Sequence, residues 1–325
     1  MTNCYASADI AVVHGTPYWA IHALDDNGDK TSWLVHGLFD GNGFSIGLDA
    51  WIPGALQAIA SDGAGYLWGM TADGELVTNA PMEGRPAWFA LAPHPGLPDR
   101  PVWYLHRLVF VSNGQESAEL GVCMLWVSDE LLVGTFSRRI YCWDGETARL
   151  EYDGRAPELS GGINDLVQTC DGVFALGYGG TLVQRGGDRT WSQLTAPWSP
   201  DDAPYINIVA GTEGADGRLR AVVDDGWVLA ATGGSATATH KLAAKPLGIV
   251  TFHEQLYVAT LDGCYELFGA GDVNLVKRGI AMGKAVCTDQ SLFAVDAAPD
   301  DPDRAGLHIW TRTREADQWA TRTIG

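Results

Sequence analysis

A chain of 325 residues with 40 acidic against 21 basic side chains carries a formal net charge of −19. That balance argues against nucleic acid or an anionic membrane as partner, because phosphates are neutralised by Lys and Arg. No run of about 18 apolar residues occurs, so no membrane-spanning helix is expected, and 46% hydrophobic content with 40 Gly and 13 Trp suits many short buried strands joined by tight turns.

In chain order, the first unit runs from about Ile10 to Ile52, with strand patterns at 18–21 and 33–35 around the polar loop Asp25-Asp26-Asn27-Gly28-Asp29. Asp25, Asn27 and Asp29 alternate as in a calcium loop. The sixth position, however, is Lys30 where that loop needs Gly, and the twelfth carries no Glu, so the reading is a solvated turn. The second unit, about 54–98, has strands at 66–69, 75–77 and 88–91, and is followed by Pro93, Pro95, Pro98 and Pro101. The third is oversized. Apolar stretches at 102–111 and 120–127 flank a polar turn before the strands 131–134, 139–143 and 149–152, which predicts an extra strand or hairpin around 102–127.

The fourth unit, about 161–200, shows the grammar most clearly. Leu166 and Val167, then 173–176, 181–184 and 191–194, read as four short strands. The turns between them are Asp171-Gly172, 177–180 and Gly186-Gly187-Asp188, where Gly reaches positive φ and Asp braces the turn. The remaining units, about 204–245, 246–282 and 283–325, repeat the pattern. One four-stranded meander has open edges and an unburied face, so it should not stand alone. A period of roughly 40–50 residues with four strands per unit predicts an all-β chain, a single propeller domain over 1–325. Seven blades fit, with six or eight left open by the degeneracy of the repeat.

In such a ring, turns between second and third strands share one face with the blade-to-blade connections, and the other turns share the opposite face. Acidic residues divide about equally between the two. The doublets Asp25-Asp26, Asp201-Asp202, Asp224-Asp225 and Asp300-Asp301 all fall on the first face, and these eight are the candidate partner-binding residues.

Catalytic and metal-binding signals are weak by comparison. With 40 carboxylates, some pair satisfies any distance rule for glycoside hydrolysis, so that criterion decides nothing. The eight His residues, His22, His36, His106, His253 and His308 among them, show neither His-x-His nor His-Glu-x-x-His spacing. Gly233-Gly234 lies in a strand turn with no following helix to cradle a phosphate. No catalytic residue, metal site or cofactor is therefore assigned. Most Trp sit at strand positions and pack between blades, while Trp51, Trp103 and Trp198, beside Pro or loop residues, are candidates for exposed anchors.

The run Gly177-Tyr178-Gly179-Gly180-Thr181-Leu182-Val183-Gln184-Arg185, followed by Asp188 and Thr190-Trp191, resembles the repeats of bacterial sialidase-type and photosystem-assembly-factor-type propellers. Those repeats end in an Asp-box, of which only Asp188 and Thr190-Trp191 remain here. The box is a structural turn, not a catalytic motif. A sialidase would bring an arginine cluster, yet none of Arg107, Arg138, Arg139, Arg220 and Arg278 stands in the family motif. A small acidic propeller of this kind also looks like those encoded beside secreted bacterial toxins. That resemblance implies a non-catalytic immunity protein covering a basic toxin or effector, with a scaffold or assembly factor and a carbohydrate-active enzyme as alternatives.

The six cysteines are scattered without a Cys-x-x-Cys pair, and the start of the chain reads as a poor secretory signal. Reduced thiols in the cytoplasm are the expectation. Titration of the denatured, unreduced protein should find about six free thiols; two or more missing would reverse it.

Overall fold

The computed structural model describes residues 4–24, 29–40, 43–93, 95–97, 99–155, 161–269, 271–278, 282–296, 307–313 and 319–324. Among them, the strands form seven antiparallel sheets arranged as a propeller. The blades span 4–53, 56–107, 110–153, 163–193, 208–241, 246–278 and 282–324. The first strand of each blade lies against the first strand of the next, so these seven strands ring the central axis.

The expected second and third strands fall where the repeat placed them in every blade. Blade 2 departs from expectation at its outer edge. Tyr104–Arg107 pairs with Glu75–Thr78 as the fourth strand, and Phe89–Ala90 lies outside it as a fifth. The segment 88–91 therefore has the strand pattern but the wrong position, because a later strand reaches the third strand's free edge. In blade 3, the hairpin Phe110–Ser112 and Gln115–Glu116 extends the sheet outward by parallel pairing of Phe110–Ser112 with Ala148–Asp153. The hairpin is tied down by Glu119, which accepts hydrogen bonds from Arg139 Nη1 at 2.6 Å and Tyr141 Oη at 3.0 Å, both within blade 3.

The core is divided among the seams. Seven buried apolar clusters correspond to the seven junctions between neighbouring blades. Alternation along a strand sends successive side chains to opposite sides. Trp19 and Ile21 of Thr16–Leu24 pack against blade 7, while Ala20 between them packs against blade 2. Phe174 and Leu176 face blade 5, and Val173 and Ala175 face blade 3. Both faces are dry, which is why these strands read as continuous apolar runs rather than alternating ones.

Blades 1 and 7 are each made of four consecutive strands, so no strand is exchanged across the junction. The ring closes by side chains. Phe293 of blade 7 meets Trp19 edge-on at 5.8 Å and Phe44 at 5.9 Å, both of blade 1. An ion pair lies nearer the axis. Every inner strand carries a register irregularity at the equivalent place, and in blades 1 and 4 the residue there is Asp. Asp9 accepts from its neighbour Ile10 N at 2.9 Å and from Ile59 N of blade 2 at 2.8 Å. Asp165 repeats the device, accepting from Leu166 N at 3.0 Å and from Gly211 N of blade 5 at 2.9 Å. Each carboxylate thus holds the next blade's backbone. Lys284 of blade 7 places Nζ 2.6 Å from Asp9 Oδ1.

Burial pushes the Asp165 carboxyl up, opposed by Lys284. Surrounding strands partly desolvate the Lys284 charge although its side chain is 43% exposed, but Asp9 and then Asp165 more than offset that and hold its pKa above the ordinary lysine range. A lysine raised in the folded state contributes stability that is complete at neutral pH and is lost only above that range. Replacing Lys284 by Met should therefore cost about 1–3 kcal/mol at pH 7 in urea denaturation, between exposed and buried ion-pair values. Part of the loss should return as the pH falls and Asp165, raised by burial, takes a proton. Equal stability of variant and parent at pH 7 would exclude this clasp.

Candidate functional site

The turns between second and third strands, together with the blade-to-blade connections, form one face of the ring. Of the ten large apolar side chains most exposed among the described residues, Leu120, Phe136, Tyr178, Tyr205, Trp227 and Leu261 stand on that face. They come from blades 3 to 6. Leu38 and Phe268 lie toward the opposite turns, and Phe89 and Val102 on the outer side of blade 2. Acidic residues alone do not distinguish the two faces; exposed apolar residues do.

A concavity on this face lies between blades 4 and 5, a cavity of about 500 Å3. One wall is the connection 194–207. Its course is set by Ser199 and Asp202: the Ser199 hydroxyl donates to Asp202 Oδ2 at 2.7 Å, and the Asp202 amide donates to the Ser199 carbonyl at 3.1 Å. A single 3-10 turn, Ala203–Tyr205, follows. It leaves Tyr205 85% exposed. Gly180 N donates to the Ile206 carbonyl at 2.9 Å, fastening the connection to blade 4. At Gly180, with φ of 63°, a Cβ would stand 2.8 Å from the Trp198 indole nitrogen, so glycine is what lets Trp198 fold inward.

The other wall is the turn Asp224-Asp225-Gly226 and the start of Trp227–Thr232 in blade 5. Asp224 N donates to the Asn207 carbonyl at 2.9 Å, and Asp225 Oδ1 accepts from Trp227 N at 3.2 Å. Gly226 has φ of 101°, and a Cβ there would meet the Leu242 carbonyl oxygen at 2.5 Å. Lys241 lies beside the turn. Its Nζ is 4.6 Å from the Trp227 ring centroid and 3.3 Å from Asp225 Oδ2.

The sequence candidates are placed unevenly. Asp202, Asp224 and Asp225 line this cavity, and Asp201 precedes them in the same exposed connection. Asp25, Asp26, Asp300 and Asp301 lie outside the described residues. Among the Trp anchors, Trp198 lines the cavity and Trp51 is half-buried. Trp103 is only 4% exposed, packed in the seam between blades 1 and 2, and so is not an anchor. Sequence inspection missed Tyr205 and Phe136, whose short turns carry no exposure signal of their own.

Other clusters are structural. Glu130, Cys142 and Glu151 converge at the seam of blades 3 and 4 with metal-like donor spacing. The Arg185 guanidinium stands where a cation would, 2.9 Å from Glu130 and 2.6 Å from Glu151. Burial and the two carboxylates push the Cys142 thiol up to about 11. Asp188 of the Asp-box remnant accepts from the Thr190 hydroxyl and amide, a turn brace. His22 and His106 each reach a backbone carbonyl, at 2.7 and 3.0 Å.

No protein-family model matches the chain, and no curated protein matches it. Solved structures do. The WD40 propeller domain of Doa1 superposes with a TM-score of 0.62 at 11% identity, covering 98% of this chain and 97% of that one. Saccharomyces cerevisiae Sqt1 gives 0.59 at 9% identity, covering 98% and 85%. PorZ, described as an essential bacterial surface component of the Porphyromonas gingivalis type-IX secretion system, gives 0.54 at 10%, covering 99% of this chain and 38% of its own. At these identities the likeness shows the fold.

The five described side chains of cysteine are unpaired, and only Cys170 is exposed. Replacing Cys170 by Ser should remove one equivalent of fast thiol reaction from the folded protein, with the buried Cys123, Cys142 and Cys264 reacting only on unfolding. An unchanged fast phase would contradict this placement.

Proposed function

We propose that this propeller is a protein-binding module whose contact surface is the face carrying Phe136, Tyr205, Trp227 and Leu261. The single observation behind it is the gathering of exposed apolar side chains on one face across blades 3 to 6. Apolar and aromatic anchors within a polar rim are what protein interfaces are built from, and the rim here is acidic. A net charge of −19 supports a basic partner, whose encounter opposite charge accelerates. In its specific form the proposal is a cytoplasmic immunity protein that neutralises a basic toxin or effector by covering it; the charge and the resemblance of the repeats support that form. The alternative within the same reading is a scaffold or assembly factor with another protein partner.

The test is co-expression with the product of the adjacent gene, measuring complex formation and rescue from toxicity. Phe136→Asp and Leu261→Asp should each weaken the complex by about tenfold or more, and reversing the exposed Asp201, outside the cavity, to Lys should mainly slow association and flatten its salt dependence. A complex indifferent to both apolar variants would reject this face. No complex and no rescue would reject the immunity form.

A further inference from the structure

We propose that the cavity between blades 4 and 5 receives a basic side chain of the protein partner, arginine before lysine; this rests on the binding face proposed above and assigns its central subsite. Three rings, of Trp198, Tyr205 and Trp227, and three carboxylates, of Asp202, Asp224 and Asp225, line one space of about 500 Å3. Aromatic faces attract cations through their quadrupole, and carboxylates supply the opposing charge. An anion is repelled there. A neutral apolar group would strip water from Asp224 without giving it a donor. Asp224 is half-buried, and among the described residues no donor reaches its carboxylate.

The chain itself shows which chemistry the walls accept. Lys241 Nζ lies 4.6 Å from the Trp227 ring centroid, pairs with Asp225 Oδ2 at 3.3 Å, and donates to the Asp225 carbonyl at 2.7 Å. An intramolecular ammonium thus already stands against one ring and one carboxylate, while among the described residues no cation pairs with Trp198, Tyr205, Asp202 or Asp224. Lys241 is 43% exposed at the side chain and is not part of the cavity lining, but an entering cation competes with it for the Trp227 ring and the Asp225 carboxylate. Arginine fits better than lysine, because a planar guanidinium stacks on a ring face while its edge donates to carboxylates.

The probe is acetylated, amidated tetra-arginine, titrated calorimetrically at low salt against the neutral tetra-citrulline peptide. The arginine peptide should bind at least tenfold more tightly. Because a chain of charge −19 attracts any polycation, the aromatic variants leave that charge unchanged and the two lysine variants change it equally. Tyr205→Ala, at a fully displayed position, and Trp227→Ala should each lower affinity by about tenfold. Lys241→Ala should raise affinity more than Lys30→Ala, which removes the same charge from blade 1. Unchanged affinity in both aromatic variants, or equal responses to the two lysine variants, overturns the proposal. If the peptide ignores the cavity while Phe136→Asp and Leu261→Asp still break the partner complex, the subsite fails and the binding face stands.

Discussion

Burial on both faces of every blade is the constraint on which this molecule depends. A strand such as 16–24 sends Trp19 and Ile21 one way and Ala20 the other, into two different seams. Each fully buried aliphatic or aromatic side chain is worth roughly 1.5–3 kcal/mol only when its neighbour blade is present. A blade alone therefore has two wet apolar faces, and a row of blades leaves two at its ends. The ring removes both ends. Its stability is cooperative around the circle, because any open seam exposes the clusters on both of its sides.

That requirement gives the junction of blades 7 and 1 particular weight. It is closed without an exchanged strand, so Trp19, Phe44 and Phe293 must hold by packing what a shared ladder of hydrogen bonds would hold by backbone pairing. Lys284 and Asp9 add an electrostatic link nearer the axis. Asp9 and Asp165 also spend both carboxylate oxygens on backbone amides, their own and the next blade's, at the register irregularity of the inner strand. The irregularity frees amides from the ladder, and the carboxylates satisfy them.

A scaffold this constrained leaves recognition to its turns. Regular alternation of strand direction puts all second-to-third turns on one side, so residues far apart in sequence, Phe136 and Leu261 among them, come to share a surface. The cavity between blades 4 and 5 arises where one connection is long enough to fold back as a wall, with Gly180 admitting Trp198 and Gly226 admitting the close approach of Leu242. Its walls are held by backbone hydrogen bonds to both blades, so the rings and carboxylates are arranged before any partner arrives.

The strand pattern of the fold was determined by the sequence alone. Continuous apolar tetrads such as 173–176 and 292–295, punctuated by Asp-Gly and Gly-Gly turns, report double-sided burial and tight reversal, both of which are local properties. The same locality explains the misplaced edge of blade 2: residues 88–91 have strand character, but which strand wins the free edge of Glu75–Thr78 is decided by long-range pairing. Acidic doublets 201–202 and 224–225 were visible as loop residues. That Asp202, Asp224 and Asp225 face one cavity was decided only by the packing of adjacent blades. Exposure, likewise, is a tertiary property: Trp103 and Trp227 have similar chemistry in sequence, yet one is sealed in a seam and the other displayed, because burial depends on which neighbour the folded ring brings against each ring face.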